Sequence, residues 1–244
     1  MMGLIFLSVI TSYSRGGLIG LIAMMFMFWL RSRKRFRVLL VVAALFAIIL
    51  PLMPAHWYDR MGMIENYEED QSATTRIAMW IVAIELTKGR PFVGGDMATW
   101  SSKEMYDKYV PDFEGKHFYP HSIFFGVLGE HGYVGLILFV ALGLSAFWST
   151  IWIIRKTRDR PDLQWAKDFS VMMQVSLVGY AVPGAFLNLH YFDLYYQFVA
   201  MIVIVRALVA HQISKKSAEV GAFSPESSTP GNRTDRLQGR YRAA

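Results

Sequence analysis

The chain has 244 residues, of which 54 % are hydrophobic and only 18 % charged, with a formal net charge of +6. Soluble domains carry about a quarter charged residues, so this composition argues against a soluble domain and against disorder over most of the chain. Cysteine is absent from the sequence, which excludes a disulfide scaffold, a thiol nucleophile and a thiolate metal site. The remaining class is an all-α, multi-pass membrane protein.

Apolar runs near the length that crosses a bilayer, about 20 residues, recur along the chain. We predict membrane helices over residues 18–30, 38–52, 122–154, 169–187 and 191–210. Residues 1–12 are too short for a span and lack the charged start of a signal peptide. We therefore expect them to be the outer half of an earlier helix, and the chain to be the C-terminal part of a larger protein.

Polarity divides the chain into four predicted segments. These are membrane helices over 1–53 with a basic cytoplasmic loop at 31–37, a periplasmic loop over 54–120 with a surface helix at 72–88, membrane helices over 121–211, and a disordered basic cytoplasmic tail over 212–244.

Charge sets the predicted orientation of these segments. Seventeen of the 25 Lys and Arg residues lie in residues 31–37, 155–167 and 206–242, whereas residues 55–120 carry a net charge of −4. The positive-inside rule makes the three basic segments cytoplasmic. Arg15, the acidic loop and His121 then share the outer face.

Arg15 follows Ser14 at the outer start of a predicted span. A charge at membrane depth is costly unless it is paired or faces a cavity, which makes Arg15 a candidate functional residue. The alternative is an arginine that extends to the membrane interface.

Arg76 lies on the predicted amphipathic helix 72–88, which Ser72 can cap and Gly89 can end. The residues that recur there at helical spacing are Ile77, Trp80, Ile81 and Ile84. We expect this helix to lie on the membrane surface or on the helix bundle. Arg76 is either functional or a solvated arginine stacked on Trp80.

His121 follows Pro120 and is expected in the first turn of the next membrane helix, since proline suits that position. The positive end of the helix dipole disfavours an imidazolium there. A neutral imidazole can act as a general base. The alternative is an interfacial histidine bonded to a loop carbonyl.

Two predicted helix N-termini therefore point to the outer face, each with a cationic or imidazole side chain. Helix N-termini bind phosphate through their free N–H groups, and arginine adds bidentate donors. We expect a diphosphate between Arg15 and Arg76, with His121 beside it.

Residues 121–154 as one helix would be about 51 Å long, too long for a single crossing. Glycine recurs every third residue from Gly126 to Gly135. We predict a break near Gly129–Gly132. Glu130 and His131 at this break either support the site or satisfy the broken backbone.

The remaining candidates carry less information. Asp193 could hold an acceptor or orient an arginine, and five aromatic residues fit an interfacial belt: Trp57, Tyr58, Tyr191, Tyr195 and Tyr196. Gly94 and Gly95 are predicted to form a turn. No histidine and aspartate spacing indicates a metal site, so we expect neither a metal nor another cofactor, and no nucleic-acid partner.

Six short motifs occur in order along the chain. They are SRGG at 14–17, TRIAMW at 75–80, RPFVGG at 90–95, PHS at 120–122, LGEHGYVGL at 128–136 and FDLYYQ at 192–197. Together they resemble the O-antigen ligase and polymerase superfamily of bacterial envelope glycan enzymes. The closest likeness is to the O-glycosylation ligases of exosortase A systems, over roughly residues 1–210.

The resemblance implies a GT-C-like helical bundle, here a fragment, in the bacterial inner membrane with its active site on the periplasmic side. Such an enzyme moves a glycan from an undecaprenyl-diphosphate carrier to a lipid or protein acceptor. Arg15 and Arg76 would then bind the diphosphate, and His121 would contact the acceptor hydroxyl or the reacting centre. We place Trp80, Glu130 and Asp193 around them as supporting residues.

Two alternatives stay open at this point. A repeat-unit polymerase uses the same donor but takes a growing glycan as acceptor. The second alternative is a non-catalytic flippase or scaffold. A flippase should carry ionisable residues along a path through several spans. Here the notable ionisable residues, apart from Glu130, gather at one face. This distribution favours an enzyme.

Overall fold

The computed structural model describes residues 8–9, 12, 14–32, 34–49, 51, 71–97, 99–109 and 119–222. Within these residues every regular element is a helix. The chain divides into two units, Met1–Arg206 and Ala207–Ala244, and all contacts discussed below lie within the first. The predictions for residues 1–7, for loop residues 52–70 and 110–118 with Trp57 and Tyr58, and for tail residues 223–244 lie outside the described ranges.

Seven α-helices follow one another in the described part of the chain. They are α1 (Arg15–Arg31), α2 (Arg35–Ile49), α3 (Gln71–Gly89), α4 (Lys103–Tyr109), α5 (Ile123–Lys156), α6 (Gln164–Gly184) and α7 (Asp193–Ala222). The prediction of a disordered tail from residue 212 is wrong for its first part, because α7 continues to Ala222. Lys, Ala, Glu and Gln, all good helix formers, dominate this stretch, and the next proline comes only at Pro225.

Two of these helices have the length and the apolar composition to cross a membrane. They cover Ile123–Lys156 and Asp193–Ala218, and the apolar stretch Gly16–Arg31 is shorter. Helix α6 covers residues 169–184 of the predicted span 169–187 and carries buried polar side chains, Ser170 and Gln174 among them.

Helices α1, α5 and α6 pack side by side at glycines, which let helices approach closely. The contacts are Gly16 with Phe186, Gly20 with Pro183 and Gly179 with Met24 between α1 and the α6 region, and Gly184 with Ile123 between α6 and α5. These pairs run in opposite directions along α1 and α6. The starts of α1 and α5 and the end of α6 therefore lie at one end of the bundle.

Helix α7 packs beside the second part of α5. The Tyr195 hydroxyl donates to the Phe139 carbonyl over 2.9 Å, and its ring stacks on Tyr180 with centroids 4.8 Å apart. Further along, the Arg206 guanidinium donates to Ser149 Oγ over 2.9 Å and lies over the Trp152 ring. These contacts give the Arg206 cation polar and aromatic partners within an apolar helix.

The predicted break near Gly129–Gly132 is confirmed at Gly132. Its φ of 65° and ψ of −166° lie in a region that is essentially restricted to glycine. The break separates a short first part of α5, residues 123–131, from a long second part, residues 133–156. Side chains on both parts border one apolar cavity, with Ile123 and Phe124 from the first and Phe139 and Val140 from the second.

The turn at residues 91–96 satisfies the backbone groups that the break leaves free. The hydrogen bonds are Gly95 N–H to Gly129 O at 2.7 Å, Asp96 N–H to Glu130 O at 3.1 Å and Tyr133 N–H to Pro91 O at 2.8 Å. The Gly94–Gly95 turn is thereby confirmed. The alternative that the Glu130 and His131 side chains satisfy this backbone is wrong, because main-chain groups of the turn do so instead.

Helix α3 forms where it was predicted and ends at Gly89, but two details differ. Ser72 lies inside the helix instead of capping it, since α3 begins at Gln71. The face that packs is Met79, Val82, Ala83 and Leu86, whereas Ile77 and Ile81 are 42 % and 50 % exposed. Apolar residues occupy both faces of this helix, so the spacing of the isoleucines could not identify the packed one.

Gly132→Ala is expected to lower stability by roughly 1–3 kcal/mol, because alanine tolerates this backbone conformation poorly. An added methyl would also lie 2.5 Å from the Pro91 carbonyl oxygen. Thermal unfolding in detergent should show a melting temperature lower by about 2–4 °C per kcal/mol. Gly16→Ala is the matched control, since its methyl would meet nothing closer than 3.6 Å; equal melting temperatures for the two variants would contradict the assignment.

Candidate functional site

Trp80 joins helix α3 to the start of α5. Its indole Nε1–H donates to the Pro120 carbonyl over 2.8 Å, and its ring stacks on Phe125 with centroids 4.8 Å apart and 13° between planes. A buried indole N–H needs such a partner. This bond holds the residue that precedes His121 against the helix that carries Arg76.

His121 lies just before α5 and not within its first turn, which corrects the prediction. Ser122 is the N-cap, with its hydroxyl accepting from Phe125 N–H at 3.4 Å, and the helix begins at Ile123. His121 itself has a φ of 46°, the left-handed region that few residues other than glycine adopt. His121 is exposed.

The environment of His121 favours the neutral imidazole. Partial burial, and secondarily the positive charge of Arg76, lower the pKa of His121 below its usual value of 6.5. Both act against the imidazolium, because burial removes its hydration and a nearby cation repels it. The ring is therefore unprotonated at neutral pH and has a nitrogen free to accept a proton.

Arg76 lies in the second turn of α3, one turn before Trp80, and is half-buried. Its guanidinium is close enough to His121 to influence the charge of that ring. The structure therefore brings two of the three residues named from the sequence to one place.

Arg15 is the first residue of α1, and the structure describes its backbone but not its side chain. The helix starts after Ser14, as predicted, and the structure shows that Ser14 caps it, with Oγ accepting from Gly17 N–H at 3.1 Å. Phe186 links the start of α1 to the Trp80 region: its Cβ lies against Gly16, and its ring centroid is 6.5 Å from that of Trp80. The starts of α1 and α5 and the first turns of α3 therefore meet around Phe186 and Trp80.

Glu130 is 1 % exposed and belongs to a hydrogen-bonded cluster that includes two histidines. Its Oε2 accepts from the Tyr191 hydroxyl at 2.5 Å and lies 3.1 Å from His190 Nε2, and His131 Nε2 lies 3.1 Å from the Tyr191 oxygen. A carboxylate only accepts, so the His190 Nε2 bond assigns the proton to that nitrogen. Burial and the bond to Glu130 raise the pKa of Tyr191, which keeps its proton.

His190 was not among the residues predicted from the sequence, and Tyr191 was predicted only as part of an aromatic belt. One feature of the sequence could have identified both residues: they lie in the turn at 188–191, on the same predicted outer face as Arg15 and His121. Asp193 is exposed in the first turn of α7, where a carboxylate suits the helix dipole. Among the described residues no group of three or more His, Asp or Glu side chains could hold a metal ion.

Replacing Arg76 by glutamine is expected to raise the pKa of His121, because the repulsion from the guanidinium is lost while the ring stays partly buried. NMR titration of ¹³C-labelled histidine would measure this shift, with His121→Gln identifying the signal. Lys88→Gln removes a cation from the far end of the same helix, where Lys88 pairs with Glu85. A His121 titration identical in Arg76→Gln and wild type would contradict the proximity of the two groups.

Comparison with known proteins agrees with the superfamily expected from the motifs. A family model described as O-antigen ligase matches residues 1–140, a range that includes Arg15, Arg76 and His121. A search of curated proteins found no significant match. Together with the two long apolar helices, the family match indicates a membrane protein of glycan ligase or polymerase type, with polysaccharide and lipid-linked substrates. The chain belongs to the O-antigen ligase family.

Proposed function

We propose that this protein is a glycan ligase that transfers an oligosaccharide or polysaccharide from undecaprenyl diphosphate to a lipid or protein acceptor. The reaction takes place at the periplasmic face of the bacterial inner membrane, in a helical bundle of GT-C type. By its motif at 192–197 we place the protein nearest to the O-glycosylation ligases of exosortase A systems.

The observation that carries the proposal is the pairing of Arg76 with a neutral His121. The Trp80 bond to the Pro120 carbonyl holds their two segments together, and the pKa of His121 is lowered by burial and by Arg76. A permanently charged donor for phosphate oxygens thus lies beside a base. This is the combination that a diphosphate leaving group and a hydroxyl nucleophile require.

The proposed reaction forms one bond and breaks one. An acceptor hydroxyl oxygen attacks the anomeric carbon of the glycan as the bond from that carbon to the diphosphate oxygen breaks. The diphosphate leaves with the electron pair, and the hydroxyl proton passes to the free imidazole nitrogen of His121. Arg76 and Arg15 stabilise the negative charge that grows on the diphosphate, more in the transition state than in the ground state.

The capped start of α1 supports the placement of Arg15 in this scheme. The first N–H groups of a helix are free to bind an anion, and the positive end of the helix dipole favours one there. Arg15 stands at that position in α1, at the same end of the bundle as the start of α5.

Arg15→Ala and Arg76→Ala are each expected to lower transfer about 10²–10³-fold, since each removes a donor to the leaving group. His121→Ala should cost roughly 10²–10⁴-fold through loss of the base. Membranes that contain the protein and the undecaprenyl-diphosphate-linked glycan would be assayed for glycan attached to lipid or protein. Lys88→Ala, at the exposed far end of α3, is the matched control and should stay active.

Near-normal transfer by any of the three alanine variants, at equal protein level, removes that residue from the site. The same assay separates a ligase from a polymerase, because a polymerase lengthens the glycan on the carrier and does not load another acceptor. Carrier-linked products that lengthen, with no new glycolipid or glycoprotein, would therefore replace the proposed function.

A further inference from the structure

A second cavity lies beside the His121 turn and contains none of the proposed diphosphate ligands. It has a volume of about 340 Å³, which is within the range of small-ligand sites, about 300–1,000 Å³. The turn that follows α6 forms much of its wall, with Asn188, His190 and Tyr191, and α5 contributes Glu130. Tyr119 borders it from the segment that leads to His121.

The polar groups of this cavity are held in place by the Glu130 cluster. Glu130 and His190 are 1 % and 2 % exposed and bonded to each other, and Glu130 also fixes the Tyr191 hydroxyl. The His190 ring packs against Gly126, where any larger residue would bring a Cβ within 2.7 Å of its Nδ1 and Cε1 atoms. Such support pre-organises the wall for binding.

Two buried acceptors in this wall, Asn188 Oδ1 and His190 Nδ1, have no partner within the described part of the chain. Asn188 Oδ1 is buried and makes no hydrogen bond within the described part of the chain, although buried amide oxygens are nearly always bonded. A ligand hydroxyl can supply the missing donor. The Asn188 carboxamide, the Tyr191 phenol and the Glu130 carboxylate together suit a ligand that both donates and accepts hydrogen bonds.

The charge and the rim of the cavity narrow the ligand class further. Among the described residues, the side chains that border it include a carboxylate and no Lys or Arg, so a phosphate would be repelled here, in contrast to the Arg76 side. Tyr119, Tyr191 and Phe192 at the rim are between 43 % and 48 % exposed. Exposed aromatic rings beside fixed polar groups match the apolar C–H faces and the hydroxyls of a sugar ring.

We propose that this cavity binds a sugar ring of the donor glycan, with Asn188 and Tyr191 as contact residues and Glu130 as a positioning residue. The choice of a glycan as the ligand rests on the proposed function. Tyr119 and His121 are two residues apart, so their α-carbons are separated by at most about 7 Å. A sugar linked to a diphosphate at Arg76 and reacting at His121 is therefore close to the rim of this cavity.

The test measures binding of the free oligosaccharide, released from its undecaprenyl-diphosphate carrier, to the full protein in detergent by saturation-transfer NMR. Asn188→Ala and Tyr191→Phe should each weaken binding about tenfold, the effect of losing one good hydrogen bond. In the transfer assay both should raise KM for the donor more than they lower kcat. Tyr133→Phe changes an exposed tyrosine on the second part of α5 and should bind as the wild type does.

A loss of binding in both cavity variants, with melting temperatures like that of Tyr133→Phe, supports the sugar site. Equal affinity in all the proteins, no saturable binding to the wild type, or a KM change for the acceptor instead of the donor overturns it. The two proposals fail separately. Oligosaccharide binding without any transfer contradicts the ligase, whereas transfer with unaltered binding in both variants contradicts only the sugar site.

Discussion

The break in α5 at Gly132 is the constraint on which the rest of the described structure depends. A helix that ends in apolar surroundings leaves carbonyl groups that must find donors, because water is not available to them. The turn at residues 91–96 supplies those donors through Gly95 and Asp96, and Tyr133 donates in return. This turn directly follows α3, so satisfying the break also fixes α3 against α5.

The position of α3 in turn creates the candidate site. Once α3 lies along the first part of α5, Trp80 reaches the Pro120 carbonyl and Arg76 comes beside His121. The short first part of α5 also carries Glu130 into contact with His190 and Tyr191. If α5 were one straight helix, residues 123 and 139 would lie about 24 Å apart, and their side chains could not line the same cavity.

Two zones of opposite character therefore border the segment from Tyr119 to His121. On one side Arg76 and the capped start of α1 favour an anion. On the other side the buried carboxylate of Glu130 and a ring of aromatic side chains favour an uncharged, hydroxyl-rich group. The bond that a glycan ligase breaks joins a neutral sugar to a diphosphate, so the division of charge matches the division within the proposed donor.

Much of this organisation was predictable from local patterns, whereas other parts were predicted wrongly or missed. Residues 121–154 were too long for one crossing and rich in glycine, so the break could be expected near Gly132. The packed face of α3 could not be, because apolar side chains cover both of its faces. His121 was placed in the first turn of the helix although it precedes the cap, since proline near a helix start fits both positions. Glu130 was identified, whereas its partner His190 lies 60 residues away along the chain.

By itself, the sequence determined the helical class, the two longest apolar helices and the start of α1 after Ser14, and it named the three residues of the candidate site. Each of these depends on composition, spacing or a cap, which are local properties of the chain. Only the tertiary structure decided which backbone groups close the break, which face of α3 packs, and which side chains surround Glu130. Those features depend on contacts between residues far apart along the chain, where many pairings are compatible with the same local pattern and packing selects one.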